Sequence, residues 1–222
     1  PEHPHLRGTA QNPDIYFQTR EVANKFYDEL PDIVEDYMQK IKESTGREYH
    51  PFTYYGAEDA ENIIIAMGSI TDTIKETIDY KVANGEKVGL MSVHLYRPFS
   101  AKYFFNALPK SVKKIAVLDR TKEPGANGDP LYLDVVELFK DDNNAPKIIA
   151  GRYGLSSKDT TPTQIISVFD NLSKEEPKEH FTVGIVDDVT NHSLEIGAEV
   201  NVLPEGTYSA KLITETLQGS IR

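Results

Sequence analysis

Apolar positions along this chain alternate between two rhythms. Ile63, Ile64, Ile65, Ala66 and Met67 form an unbroken apolar run, the pattern of a strand buried on both faces. Gly68 turns the chain, and Ile70, Ile74, Ile78 and Val82 then recur at helical spacing up to Gly85. Ser69, with Asp72 three residues on, resembles a helix cap. The same alternation repeats. Val88 to Tyr96 reads as a strand, Ser100 to Leu108 as a helix, and Lys114 to Leu118 as a strand. A helix from Pro130 to Phe139 follows, then a strand at Lys147-Ile148-Ile149-Ala150. Thr161-Pro162-Thr163-Gln164 has the pattern of a capping box with proline at the first helical position. Ile165, Ile166, Phe169 and Leu172 give that helix its core face, and Phe181 to Ile185 is the last predicted strand.

Strands alternating with helices imply an α/β fold, a parallel or mostly parallel sheet flanked by helices with right-handed crossovers. Before this region, Pro13 to Gly46 carries a helical pattern through Ile33, Val34, Tyr37 and Ile41, with Gly46 as its stop. Pro31 either kinks one long helix or starts a second. The last thirty residues have weak periodicity.

Composition narrows the functional classes. The 222 residues fit one large or two small domains, and the net charge of −11 disfavours nucleic acid and anionic membrane surfaces as partners. No apolar run approaches the roughly 20 residues of a spanning helix. The opening PEHPHLRGTAQNPD has no starting Met and no signal peptide, so the chain reads as a piece of a longer protein. The cysteine count is zero, which excludes thiol catalysis and Cys-ligated zinc or iron–sulfur clusters within these residues.

Four stretches carry candidate chemistry, each beside a structural reading. Gly68-Ser69, between a strand and a helix, can offer backbone N–H groups to a phosphate, or simply form a turn. Asp119, Arg120, Lys122 and Glu123 open a long charged loop at a strand's end, as a site or as a contact surface. Pro124-Gly125 and Asn127-Gly128 are turn signals within it, the former suited to a type II turn. GRYGLSSKDT, 151 to 160, supplies glycines, hydroxyls and cations between a strand and a capped helix. It suits an anion, with Arg152, Gly154, Ser156, Ser157 and Lys158 as the binding residues, or serves as a plain connection. Asp187, Asp188 and Thr190 can offer oxygen ligands to a cation or form a solvated strand end. The histidines are scattered, without helical pairing, and His94 reads as a hydrogen-bonded sheet residue. No catalytic set and no metal set is assigned.

Five phrases taken together say more. RGTAQNPDIYFQ, LYRPFS, LDRTKEPGANGDPLYLDV, AGRYGLSSKDTTPTQI and HFTVGIVDDVT, in this order, resemble the pyruvate:ferredoxin (flavodoxin) oxidoreductase family. The resemblance runs from about position 4 to Leu194 and is patchier through Tyr208; beyond Lys211 the stretch LITETLQGSIR departs from it. It implies a fragment of a cytoplasmic, dimeric, multidomain enzyme of anaerobic metabolism. That enzyme uses thiamine diphosphate with Mg2+, 4Fe-4S clusters and coenzyme A to convert pyruvate to acetyl-CoA and CO2, reducing ferredoxin or flavodoxin. Residues 1–50 would then lead in from an absent N-terminal catalytic domain. Residues 51–150 would be a domain like the C-terminal domain of transketolase, and 151–222 the truncated start of the next domain, with an atypical tail after 211. The thiamine contacts and cluster cysteines would lie outside this piece, leaving a structural or positioning domain without a cofactor of its own. Its partners would be the other domains of the parent chain, and Gly151 to Lys158 would face coenzyme A. The alternative is an independent module that binds phosphate or coenzyme A through 151–160.

Overall fold

The computed structural model describes residues 10–202 and 206–208. The first nine residues and the tail after 211 lie outside that range. Two helices come first, α1 (Pro13–Val22) and α2 (Asn24–Thr45). The break between them is at Ala23, and α2 runs on through Pro31. Gly46 closes α2 in the left-handed conformation (φ 73°), its N–H donating to the Lys42 carbonyl at 2.8 Å. The α2 side chains Phe26, Ile33, Tyr37 and Ile41 are exposed.

The α/β body follows: β1 (Phe52–Gly56), β2 (Asn62–Met67), α3 (Ile70–Ala83), β3 (Val88–Val93), α4 (Ala101–Ala107) and β4 (Lys114–Asp119). It continues through α5 (Pro130–Leu138), β5 (Lys147–Arg152), α6 (Pro162–Ser173) and β6 (Phe181–Thr182). The strands form one sheet in the order β1-β3-β2-β4-β5-β6, in which only β1 runs antiparallel to its neighbour. This is an α/β fold with a mostly parallel sheet.

Pleating divides the central strands between two cores. Ile64 and Ala66 on β2, with Ala116 and Leu118 on β4, face Ile74 and Ile78 of α3 and Ile165 and Phe169 of α6. Ile63, Ile65, Ile115 and Val117 face the other way, against Phe104, Leu131 and Val135. Each interior strand therefore buries side chains on both faces over its middle residues, which is why these strands read as short apolar runs rather than as alternating ones. The first core joins Ile64 and Ile149 to Tyr153, Ile165 and Phe181. The division placed between 150 and 151 from the sequence thus falls inside β5, where sheet and core are continuous.

The observed elements differ from the sequence reading at four points. The strand β1 was not anticipated. The predicted strand to Tyr96 stops at Val93, because the chain turns back so that the N–H groups of His94 and Leu95 reach the Pro51 carbonyl. The last predicted strand is cut to Phe181–Thr182: Gly184 takes φ 83°, and Val186 is left 94% exposed. Ser69 does not cap α3 with its side chain, since its own backbone is already helical (φ −62°, ψ −22°). No described helix is long and apolar enough to cross a membrane.

Candidate functional site: a crevice at the carboxyl edge of the sheet

The chain leaves β2 toward β3 on one side and then crosses back to β4 on the other. Loops at the carboxyl ends of β2 and β4 therefore diverge, and open α/β sheets bind ligands at such a crossing. A crevice of about 380 Å³ opens there between Gly68-Ser69, Tyr96, Asp119-Arg120 and Tyr153. It continues into a polar cleft of about 290 Å³ lined by Ser69, Thr73, Arg120, Ser157, Lys158 and Asp159. Three stretches singled out separately in the sequence meet at this place.

The 151–160 stretch folds into a tight 3-10 turn at Leu155–Ser157. Gly154 enters it with φ 62°, and Ser156 and Ser157 are also left-handed, at φ 53° and 59°. That region is costly for residues with a Cβ. The turn is held by Lys158 N–H donating to the Leu155 carbonyl (3.2 Å) and by Arg120 Nε donating to the Gly154 carbonyl (2.9 Å). Arg120 thus ties the end of β4 to the loop after β5.

The proposed binding residues separate into two groups. Gly154, Ser157 and Lys158 line the polar cleft. The Arg152 guanidinium, only 18% exposed, instead pairs with the buried Asp129 carboxylate at 3.2 Å, and Arg120 supplies the cleft's guanidinium. Ser156 is exposed on the same turn but does not line the cleft. Thr73 and Tyr153 join the lining without a sequence signal beyond their positions just past a strand or on the first turns of a helix.

Asp119 and Asp129, at the two ends of the charged loop, are engaged structurally. Asp119, 3% exposed at the end of β4, accepts the N–H groups of Leu131 and Tyr132, both at 3.0 Å. It therefore caps α5 from a distance in sequence, while the N-cap residue Asp129 bonds the Glu123 N–H (2.9 Å) and Arg152. Burial pushes the Asp119 carboxyl above its usual range; the two N–H bonds pull it down, and neighbouring Asp129 and Asp134 add to the rise. Pro124-Gly125 forms the expected turn, with Ala126 N–H donating to the Glu123 carbonyl (3.2 Å) and Gly125 at φ 81°. Gly128 is different: a side chain there would overlap the Tyr132 ring.

At the far loop, the Asp188 carboxylate is occupied by the Ser193 N–H (2.7 Å) and by the Thr190 hydroxyl (3.0 Å). The Ser193 bond is the main cause of its lowered pKa. Asp187 is exposed. His94 lies one residue beyond β3 and is exposed; partial desolvation of its ring, then the nearby Lys75 and His50, lower its pKa. Its ring meets Tyr49 edge-on at 5.9 Å.

Fold and crevice define an open α/β domain with its candidate site among the loops at the carboxyl ends of a mainly parallel sheet. Residues 60–165 match the family described as "Pyruvate:ferredoxin oxidoreductase core domain II", and the chain carries that domain of this oxidoreductase family. It is 59% identical over 212 residues to the pyruvate-flavodoxin oxidoreductase of Enterobacter agglomerans, covering 95% of this chain and 18% of that protein. The pyruvate-flavodoxin oxidoreductase of Klebsiella pneumoniae is 62% identical over 87% of this chain and 17% of its own. The pyruvate:ferredoxin oxidoreductase of Moorella thermoacetica is 52% identical over 100% of this chain and 19% of its own. The chain thus spans less than a fifth of the length of these relatives.

Proposed function

We propose that this chain is a positioning domain of a larger cytoplasmic enzyme that oxidatively decarboxylates pyruvate to acetyl-CoA and CO2 and reduces ferredoxin or flavodoxin. The observation that carries this reading is the identity of 59% over 95% of the chain to an enzyme named for pyruvate and flavodoxin. The parent enzyme is a homodimer that uses thiamine diphosphate with Mg2+, and 4Fe-4S clusters. Clusters of that kind are held by cysteine thiolates, and this chain has no cysteine, so their ligands belong to other domains. The acids at the sheet's edge are committed to capping α5 and to pairing with Arg152. That suits a domain that sets geometry for its neighbours. The charged loop from Asp119 to Asp129 then reads as a contact surface toward them.

Coenzyme A is a group for which described residues of this chain have suitable chemistry. Arg120, Lys158 and Ser157 line one polar cleft at the α3 N-terminus, where a helix dipole favours negative charge. In this reading Ser157 and Lys158 contact a coenzyme A phosphate, Gly154 and Ser156 shape the turn, and Arg152 acts as a positioning residue through Asp129. The same cleft favours a second reading, a module that binds phosphate or coenzyme A by itself.

The test is Lys158→Ala in the complete enzyme. The KM for coenzyme A should rise about tenfold, equivalent to about 1.4 kcal/mol, with the KM for pyruvate unchanged. Identical coenzyme A kinetics with and without Lys158 would remove the cleft from the reaction and leave the domain assignment standing. For the second reading, titration of this chain with coenzyme A should give only about millimolar binding, roughly 4 kcal/mol; tight binding would favour the independent module.

A further inference from the structure

The sheet ends at β1, and its outer edge is unpaired among the described residues. The His94 N–H bonds the Pro51 carbonyl and the Ala57 N–H bonds the Val88 carbonyl. In an antiparallel pair this phase turns the backbone groups of Thr53 and Tyr55 toward β3 and those of Phe52, Tyr54 and Gly56 outward. Such a row of free donors and acceptors is a template for another strand.

Two hollows lie along this edge and share Tyr54, Asn106 and Ala107. One, of about 930 Å³, is walled by Ile78 and Val82 of α3 and by Leu108. The other, of about 550 Å³, lies between α2 and β1 beside Tyr103. An added strand would set alternate side chains against the two walls. The rim is acidic: Glu58 and Asp79 stand in the first hollow with Lys110, and Glu35 and Glu48 in the second with His50. Glu35 Oε1 is taken by Gln39 (2.7 Å) and His50 (2.8 Å), but Glu35 Oε2 and Thr53 Oγ1 are buried without a hydrogen-bond partner. Glu48 is paired with Lys42, and Asp79 accepts the Tyr55 hydroxyl.

We propose that the free edge of β1 docks an extended basic peptide segment, which joins the sheet as a further strand and sets its cations against Glu58, Asp79 and Glu35. The backbone edge supplies register and the acidic rim supplies selectivity. A second copy of this chain is the poorer occupant. Two β1 strands paired about a twofold axis would bring the Glu35–Glu48 end of one against the Glu58–Asp79 end of the other, acid on acid.

The probe is the peptide acetyl-KVKVKV-amide, with acetyl-EVEVEV-amide as its opposite, added to the 15N-labelled 222-residue chain. Amide exchange at Phe52, Tyr54 and Gly56 should slow by about tenfold or more with the lysine peptide and stay unchanged with the glutamate peptide. Glu58→Lys, at an exposed rim position, should weaken the lysine peptide's effect while leaving the chain's melting temperature unchanged. Equal protection by both peptides, or none by either, overturns the proposal. So does protection of these three amides without peptide in a chain that sediments as a dimer, since a second copy would then hold the edge.

Discussion

At the scale of single residues, Asp119 shows how burial converts an apparent catalytic acid into structure. One carboxylate oxygen accepts the Leu131 N–H and the other accepts the Tyr132 N–H. Asparagine offers only one acceptor, so Asp119→Asn sets an NH2 against one of these N–H groups. A hydrogen bond to a charged group is worth about 1.5–3 kcal/mol, and the variant should lose stability on that order in urea unfolding. The pH dependence has a definite sign. The folded Asp119 holds its proton more tightly than the unfolded chain does, because its pKa is raised chiefly by burial. Its contribution to stability therefore falls as pH rises from the usual carboxylate value through the raised one. Asparagine does not titrate, so the cost of Asp119→Asn should be larger at pH 3 than at pH 7; a cost that grows with pH would mean Asp119 is stabilised as the carboxylate. A second residue of this kind is Gly89, whose Cβ would collide with the Tyr54 ring. Gly89→Ala should cost about 1–3 kcal/mol through overpacking, read from the urea midpoint.

At the scale of elements, the helices and interior strands were legible because one physical constraint governs each. Strand β2 is buried on both faces from Ile63 to Ala66, so the sequence there is an unbroken apolar run. Helix α6 has its capping box as read: Gln164 N–H donates to Thr161 Oγ1 (3.4 Å), and Thr161 N–H donates to Gln164 Oε1 (3.1 Å). Thr161→Ala should cost about 1 kcal/mol of stability, and an unchanged melting temperature would make the box incidental. The Pro124-Gly125 turn carries a parallel expectation. Nothing crowds Gly125, so Gly125→Ala is penalised by its φ of 81° alone, about 1 kcal/mol. The edge elements were less legible. FTYYG carries two tyrosines and a glycine and lies against only one neighbour, so no two-sided apolar run marks it. Likewise β6 is held through only two residues, and hydropathy alone cannot register that Gly184 turns the chain away. Pro31 sits within α2, so of its two readings the start of a second helix is the one the structure does not show.

At the scale of the whole molecule, the crevice could not be read in advance from residue types. Ser69, Arg120 and Lys158 follow three different strands, and only the crossover order of the sheet brings them to one cleft. The sequence held the parts, while the pairing of Arg152 with Asp129, which leaves the cleft to Arg120, depends on depth in the fold. The folded body also shapes the response of the chain to alkali. Burial is the first cause of the raised pKa of Tyr96, Tyr103, Tyr132, Tyr153 and Tyr54, the last pushed up to about 12. Tyr55 is raised first by its hydrogen bond to Asp79. Each native phenol keeps its proton to higher pH than the unfolded chain, so the unfolded state releases protons first and stability falls as pH climbs above about 10. The net charge of −11 deepens the fall, since each tyrosinate adds to the repulsion. Tyr54 isolates one component. Its hydroxyl donates to the Ala57 carbonyl at 2.5 Å, so Tyr54→Phe should cost about 0.5–1.5 kcal/mol at pH 8. Phenylalanine has no proton to lose, so the gap between the parent chain and Tyr54→Phe should narrow between pH 10 and about 12. Urea midpoints at pH 8, 10 and 11.5 decide the matter. A constant gap would mean that Tyr54 titrates alike in both states and that its burial on β1 carries no electrostatic cost.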